Sequence, residues 1–177
     1  MSWIITLTGK HFNFRDVTPE SICIEDIAGA LSNICRFTGH LPEFYSVAEH
    51  SIHCSYLVPV EHALEALLHD AAEAYCNDIN SPLKALLPDY QAVESKIETV
   101  IRDKFNLPSS MSSPVKRADL IMLGTERRDF GLNDGTVWPI LEGIPTADFL
   151  INPMTPAHAR SLFIKRFVEL KGVGHAR

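Results

Sequence analysis

The sequence predicts a mainly α-helical domain with a small β-hairpin at its N-terminus, and three observations predict it. Apolar residues recur at helical spacing from residue 24 onward, short strand-like runs occur near the start, and 46% of the residues are hydrophobic in a chain of 177. That length suits one domain, residues 1–177, with a sizeable core.

Residues 3–7 (WIITL) and 11–15 (HFNFR) flank Thr8-Gly9-Lys10, a turn-like break, and read as the hairpin. After Pro19, the spacing of Ile24, Ile27, Ala28, Leu31, Ile34 and Cys35 predicts a helix over about 24–36, which Gly39 and Pro42 break. A second helix is expected over 44–57, ended by Pro59. Residues 60–76 read as one continuous third helix, apolar on nearly every side and hence central in the core. A loop over 77–82 leads into a short helix through Leu87. Helices over 89–105, 115–129 and 156–171 complete the set, with a Ser/Pro-rich linker at 109–114 and an irregular stretch from 130 to 153.

The net charge of -6 argues against a binder of nucleic-acid polymers, because phosphate-backbone affinity rests on clustered Lys and Arg. It leaves small nucleotides open. The four cysteines, Cys23, Cys35, Cys54 and Cys76, form no CxxC pair and read as small buried hydrophobes in a reducing compartment. No window reaches the ~18 apolar residues of a membrane span, and the N-terminus lacks a signal-peptide pattern. These features point to a cytoplasmic protein with no membrane partner.

His69 and Asp70 stand side by side in the most apolar helix, where a charged Asp is costly unless paired or bound to a metal. Alone, the pair reads equally well as a satisfied polar pair at a helix bend. His50 lies on the preceding helix beside the apolar positions Val47 and Ile52, and Asp119 lies between Ala118 and Leu120. Two histidines and two carboxylates from three helices make a mixed nitrogen–oxygen site. It suits one Mn²⁺, Co²⁺, Fe²⁺, Zn²⁺ or Mg²⁺ better than a closed thiolate site would.

The order His…His-Asp…Asp resembles the HD-domain metal-dependent phosphohydrolases. SVAEHS, LLHDAAEAYCNDINSPLK and ADLIM look like the corresponding blocks of bacterial 5′-deoxynucleotidases, and SNICRFTGH, FYSVAEH, LPDY, TERRDFGL and WPILEGIP resemble small phage and prophage members. The resemblance implies a compact helical HD bundle with His50, His69, Asp70 and Asp119 as ligands. It implies one ion, since members with several metals carry further histidines soon after the HD pair and here the next is His158. Such an ion would lower the pKa of a water and polarise a phosphoryl oxygen.

Glu73 stands one turn after the HD pair on the same face. By residue type it is a solvated helix glutamate, and by resemblance it helps to activate the water. Asp78 is by type a cap or turn residue, and by resemblance it contacts the sugar and helps in catalysis. Arg36 corresponds to an arginine that lies over the substrate. Phe37 stands where the deoxynucleotidases carry Trp, and it either walls the base or packs in the core. Lys84 and Lys116 are candidate phosphate contacts or surface lysines. His40, in a loop beside Arg36, is a candidate phosphate contact or proton donor. His53 is expected to pack or lie exposed, although it could share the face of His50, and His11, His62, His158 and His175 have no evident partners. The run Glu126-Arg127-Arg128-Asp129 reads as exposed ion pairs, with a subunit contact as the alternative.

The leading expectation is therefore a 5′-deoxynucleotidase that converts a deoxynucleoside monophosphate and water to deoxynucleoside and phosphate. The first alternative is a dNTP triphosphohydrolase of the phage type. A non-catalytic metal-dependent nucleotide sensor is a second, which intact Glu73, Asp78 and Arg36 oppose. Hydrolysis of cyclic dinucleotides or (p)ppGpp fits poorly, since the chain looks short and lacks the further motifs. The resemblance also implies a homo-oligomer.

Overall fold

The computed structural model describes residues 2–173. His175 lies outside them. Strands β1 (Trp3–Ile5) and β2 (His11–Asn13) pair antiparallel, with Ile4 opposite Phe12. Gly9 turns the hairpin with φ +83, a left-handed value that costs glycine nothing. Asp26 ties this turn down, accepting from the Thr8 amide at 2.7 Å and the Thr8 hydroxyl at 2.8 Å.

The rest is helical: α1 (Ile24–Asn33), α2 (Val47–Tyr56), α3 (Ala63–Leu68), α4 (Glu73–Cys76), α5 (Ser81–Lys84), α6 (Pro88–Phe105), α7 (Ser113–Asp129) and α8 (Pro156–Val173). Helix α2 sits at the centre, packed against α1, α3, α7 and α8. One of its sides joins Phe12, Ile27, Leu31, Leu67, Ile97 and Phe163 in the main core. Its other side, through Cys54, joins Ala66, Val115, Ala118 and Met122 in a smaller core under α7. Ser46 caps it by accepting from the Glu49 amide at 3.1 Å. No helix among the described residues is long and apolar enough to cross a membrane.

One expected helix is interrupted. Residues 60–76 form a 3-10 turn (Val60–His62), then α3, then a tightened turn over 69–72, then α4. Through that turn Ala71, Glu73, Ala74 and Tyr75 donate to the carbonyl three residues back, at 3.0 to 3.3 Å. The tighter winding falls at the HD pair itself. No Gly or Pro marks it, so the sequence pattern runs straight through.

Of the four cysteines, only Cys54 is fully buried, while Cys23, Cys35 and Cys76 are half-buried, which corrects the expectation of four core thiols.

Candidate metal centre and cleft

Three segments bring the histidine and aspartate side chains together. Helix α2 carries His50, the turn after α3 carries His69 and Asp70, and α7 carries Asp119. His50 Nε2 lies 3.2 Å from Asp119 Oδ1 and 3.8 Å from Asp70 Oδ2. His69 Nε2 lies 3.2 Å from Asp70 Oδ2 and 4.0 Å from Asp119 Oδ1. Both histidines are buried, and Asp70 and Asp119 face the cleft.

Each ring is held from behind. His69 Nδ1 donates to the Ala66 carbonyl at 2.7 Å, which leaves Nε2 as a buried nitrogen without a hydrogen-bond partner. His50 Nδ1 donates to Glu126 Oε1 at 2.6 Å. A carboxylate behind an imidazole fixes the tautomer and raises the ring's basicity, the usual support for a metal-ligating histidine. Glu126 also accepts from Arg36 Nη2 at 2.9 Å, and Arg36 Nη1 stands 3.9 Å from Asp70. Burial and Arg36 oppose a charged His50, yet Cys54, Glu126 and the hydrogen bond to Asp119 carry its pKa well above the ordinary histidine value. Burial works against the Asp119 carboxylate as well, but the His50 hydrogen bond and the charges of His50, His69 and Arg36 hold its pKa well down.

The sequence reading missed two residues here. Cys54 lies one turn after His50, with Sγ 3.5 Å from Nε2, and the donor atoms of His50, Cys54 and His69 lie within 4.8 Å of one another. That group could hold a metal ion. Burial raises the Cys54 pKa while no ion is bound, and Cys54 does not line the cleft that Asp70 and Asp119 face. The second is Glu126, fully buried rather than part of an exposed ion-pair run. It stands seven residues after Asp119, two turns along the same face, and that spacing was its signal. Its neighbours are not simple surface charges either. Arg128 donates to the carbonyls of Ala147 at 2.9 Å and Phe149 at 2.6 Å, and Asp129 accepts from the Ile151 amide at 2.8 Å, so the pair clamps the irregular stretch.

A cleft of about 840 Å³ opens over this centre. Arg36, Phe37, Asp70, Glu73, Asp78, Lys84 and Asp119 line it, so most of the expected residues meet in one place. Glu73 is buried, and its Oε2 has no hydrogen-bond partner. Burial, helped by Asp70 and Asp78, raises its pKa well above the usual carboxylate range. Burial also raises the pKa of Asp78. Lys84 is bound by Glu94 at 2.7 Å, which offsets burial and raises its pKa.

Strained backbone frames the cleft. Phe37 and Thr38 sit at φ 55 and 56, and Asn77 sits at φ 71, ψ 159, a region that belongs almost entirely to glycine. The Asn77 carbonyl accepts from Tyr90 Oη at 2.8 Å and its side chain accepts from the Asp78 amide at 3.0 Å, so the bend that aims Asp78 is pinned on both sides. The Arg36 amide is likewise pinned, donating to the Tyr45 carbonyl at 2.9 Å.

Two expected residues stand elsewhere. Lys116 is exposed and does not line the cleft, since Val115 takes the buried face of that turn of α7. His40 is exposed beyond the left-handed run at 37–39 and lines an adjoining hollow of about 530 Å³ rather than the cleft. The irregular stretch adds lining that the sequence reading did not name as site residues: Val137, Trp138, Pro139 and Ile140.

No family model matches this chain. It is 34% identical over 127 residues to the Rhodobacter capsulatus protein named "Uncharacterized protein RCAP_rcc00048", an alignment spanning 66% of this chain and 65% of that one. It is 59% identical over 171 residues, 96% of each chain, to the Escherichia coli protein named "Uncharacterized protein YfdR". At that identity and coverage, the chain belongs to the YfdR family.

Proposed function

We propose that this protein is a metal-dependent phosphohydrolase that removes the 5′-phosphate from deoxynucleoside monophosphates, with one divalent ion held by His50, His69, Asp70 and Asp119. The observation that carries the reading is the convergence of those four side chains, each histidine presenting an Nε2 whose ring is fixed from behind. The two carboxylates complete the set in preference to Cys54, because they line the cleft and Cys54 does not. A divalent ion there supplies Lewis acidity toward a phosphoryl oxygen and toward the attacking water.

Arg36 orients the phosphate, its guanidinium fixed by Glu126 and directed toward Asp70. Glu73, whose Oε2 has no hydrogen-bond partner, takes the proton from the water as the new P–O bond forms. The P–O5′ bond breaks, and Asp78 is placed to hand a proton to the departing O5′. Phe37 walls the base.

Charge favours the monophosphate over the triphosphate. Among the described residues the cations lining the cleft are Arg36 and Lys84, each already engaged by a glutamate, against four carboxylates. His40 and Lys116 lie outside the cleft lining, so the extra basic residues a triphosphate would need are missing there. The test is product profiling by chromatography with dAMP, dGMP, dTMP, dCMP and dATP under Mn²⁺, Co²⁺, Zn²⁺, Fe²⁺ and Mg²⁺. Deoxynucleoside plus phosphate is expected. Triphosphate release from dATP would replace the substrate assignment, and nucleotide binding without turnover in any metal would leave a sensor.

A further inference from the structure

The cleft continues past the centre into a second hollow, and Phe37, Asn80, Pro82 and Trp138 line both. Trp138 enters from the stretch after α7, between left-handed turns at Gly135 (φ 87) and Gly143 (φ 71). It is half-buried, and the Arg127 guanidinium lies 4.6 Å from its ring centroid. Arg127 is itself fixed by Asn133 Oδ1 at 3.1 Å and by the Thr136 carbonyl, so the indole is backed by a cation that the local backbone holds still. Beside it, Val137 is 76% and Ile140 61% exposed at the cleft wall. Apolar side chains left open around a cleft that ends in charged groups mark a place for the apolar part of a ligand.

The geometry points to Trp138 as the stacking platform for a planar nucleobase, with Arg127 as the residue that positions the indole. This deepens the phosphohydrolase reading and rests on it for the identity of the ligand's other end. The ring–cation stack presets the indole, so little side-chain entropy is lost when a base lands on it. His40 lines the neighbouring hollow, as does Thr38, whose hydroxyl accepts from Asn80 Nδ2 at 3.1 Å and keeps its own proton to donate to the base edge.

The sequence contains two tryptophans, and Trp3 is stacked on His11 in the hairpin, away from the cleft. A Trp3→Phe variant therefore makes Trp138 the sole indole reporter. Titrating the metal-free variant with thymidine, deoxyadenosine and 2-deoxyribose 5-phosphate is expected to give saturable quenching by the two nucleosides and none by the sugar phosphate. In the turnover assay, Trp138→Ala is expected to raise KM for dNMPs about 5- to 140-fold, the equivalent of one lost base stack, with kcat little changed. Trp138→Phe restores most of that loss. No quenching by either nucleoside, or an unchanged KM in Trp138→Ala, overturns the assignment. Nucleoside quenching without phosphate release in any metal keeps the platform and removes the phosphohydrolase. Phosphate release without quenching does the reverse.

Discussion

Replacing Glu126 by Gln removes one negative charge from a fully buried position and changes almost no volume. The wild-type carboxylate accepts from His50 Nδ1 at 2.6 Å and from Arg36 Nη2 at 2.9 Å. A Gln can still accept from one of them through its amide oxygen, but its NH2 then faces the other donor. The His50 ring loses the anion that raises its basicity, so metal affinity should fall about 10- to 100-fold, the range for losing such an outer carboxylate. That is about 1.4–2.7 kcal/mol. Glu126→Ala is harsher: it leaves Arg36 without its buried partner, and breaking a buried pair costs roughly 3–5 kcal/mol. For a domain of this size each kcal/mol moves Tm by about 2–4 °C, so the Ala variant should melt ~6–20 °C lower and the Gln variant much less. Calorimetric titration with Mn²⁺ or Co²⁺ gives the affinity, and thermal melts by circular dichroism in chelator give the stability. A Glu126→Gln protein that folds and binds metal with wild-type affinity would refute the argument that His50 is a ligand supported by Glu126.

Cys54→Ala should leave metal affinity little changed, because Asp70 and Asp119, not Cys54, line the cleft; a large loss in the same titration would make Cys54 a ligand. His69→Ala and Asp119→Ala should each abolish phosphate release in the chromatographic product assay. Glu73→Gln should abolish turnover yet raise Tm in chelator above neutral pH. Its folded pKa is raised, so the protonated form is the one the fold favours, and the ionised side chain destabilises the protein as pH rises through that pKa. The Tm difference from wild type should shrink toward acid pH, and a difference independent of pH would contradict the shift. Asn77→Gly should raise Tm by relieving strain of about 1–3 kcal/mol, while Asn77→Ala gains nothing, since only glycine tolerates φ 71, ψ 159 without strain; a Gly variant that melts no higher than wild type would show that the bend carries no strain.

The helices were legible because their buried stripes repeat: Val115, Ala118, Met122 and Thr125 on α7 line up at spacings of three and four. The site's ligand candidates were legible for the opposite reason, as polar residues where that pattern demands apolar ones. Glu126 escaped because it sits in a run of charges, and runs of charges are normally solvated; only its two-turn offset from Asp119 distinguished it from Arg127 and Arg128. The tightened turn at 69–72 was invisible because alanines accept either winding. Trp138 was illegible as a wall of the cleft because its position depends on Arg127, Arg128 and Asp129 fixing an otherwise irregular chain, contacts that leave no periodic trace.

The central claim is that one cation sits among His50, His69, Asp70 and Asp119. Anomalous diffraction from crystals grown with Mn²⁺ tests it most directly. The expected map has a single strong peak about 2.0–2.3 Å from both Nε2 atoms and from an oxygen of each aspartate. A peak seated on Cys54 with Asp119 turned away, or no peak between the two histidines at saturating Mn²⁺, would contradict it.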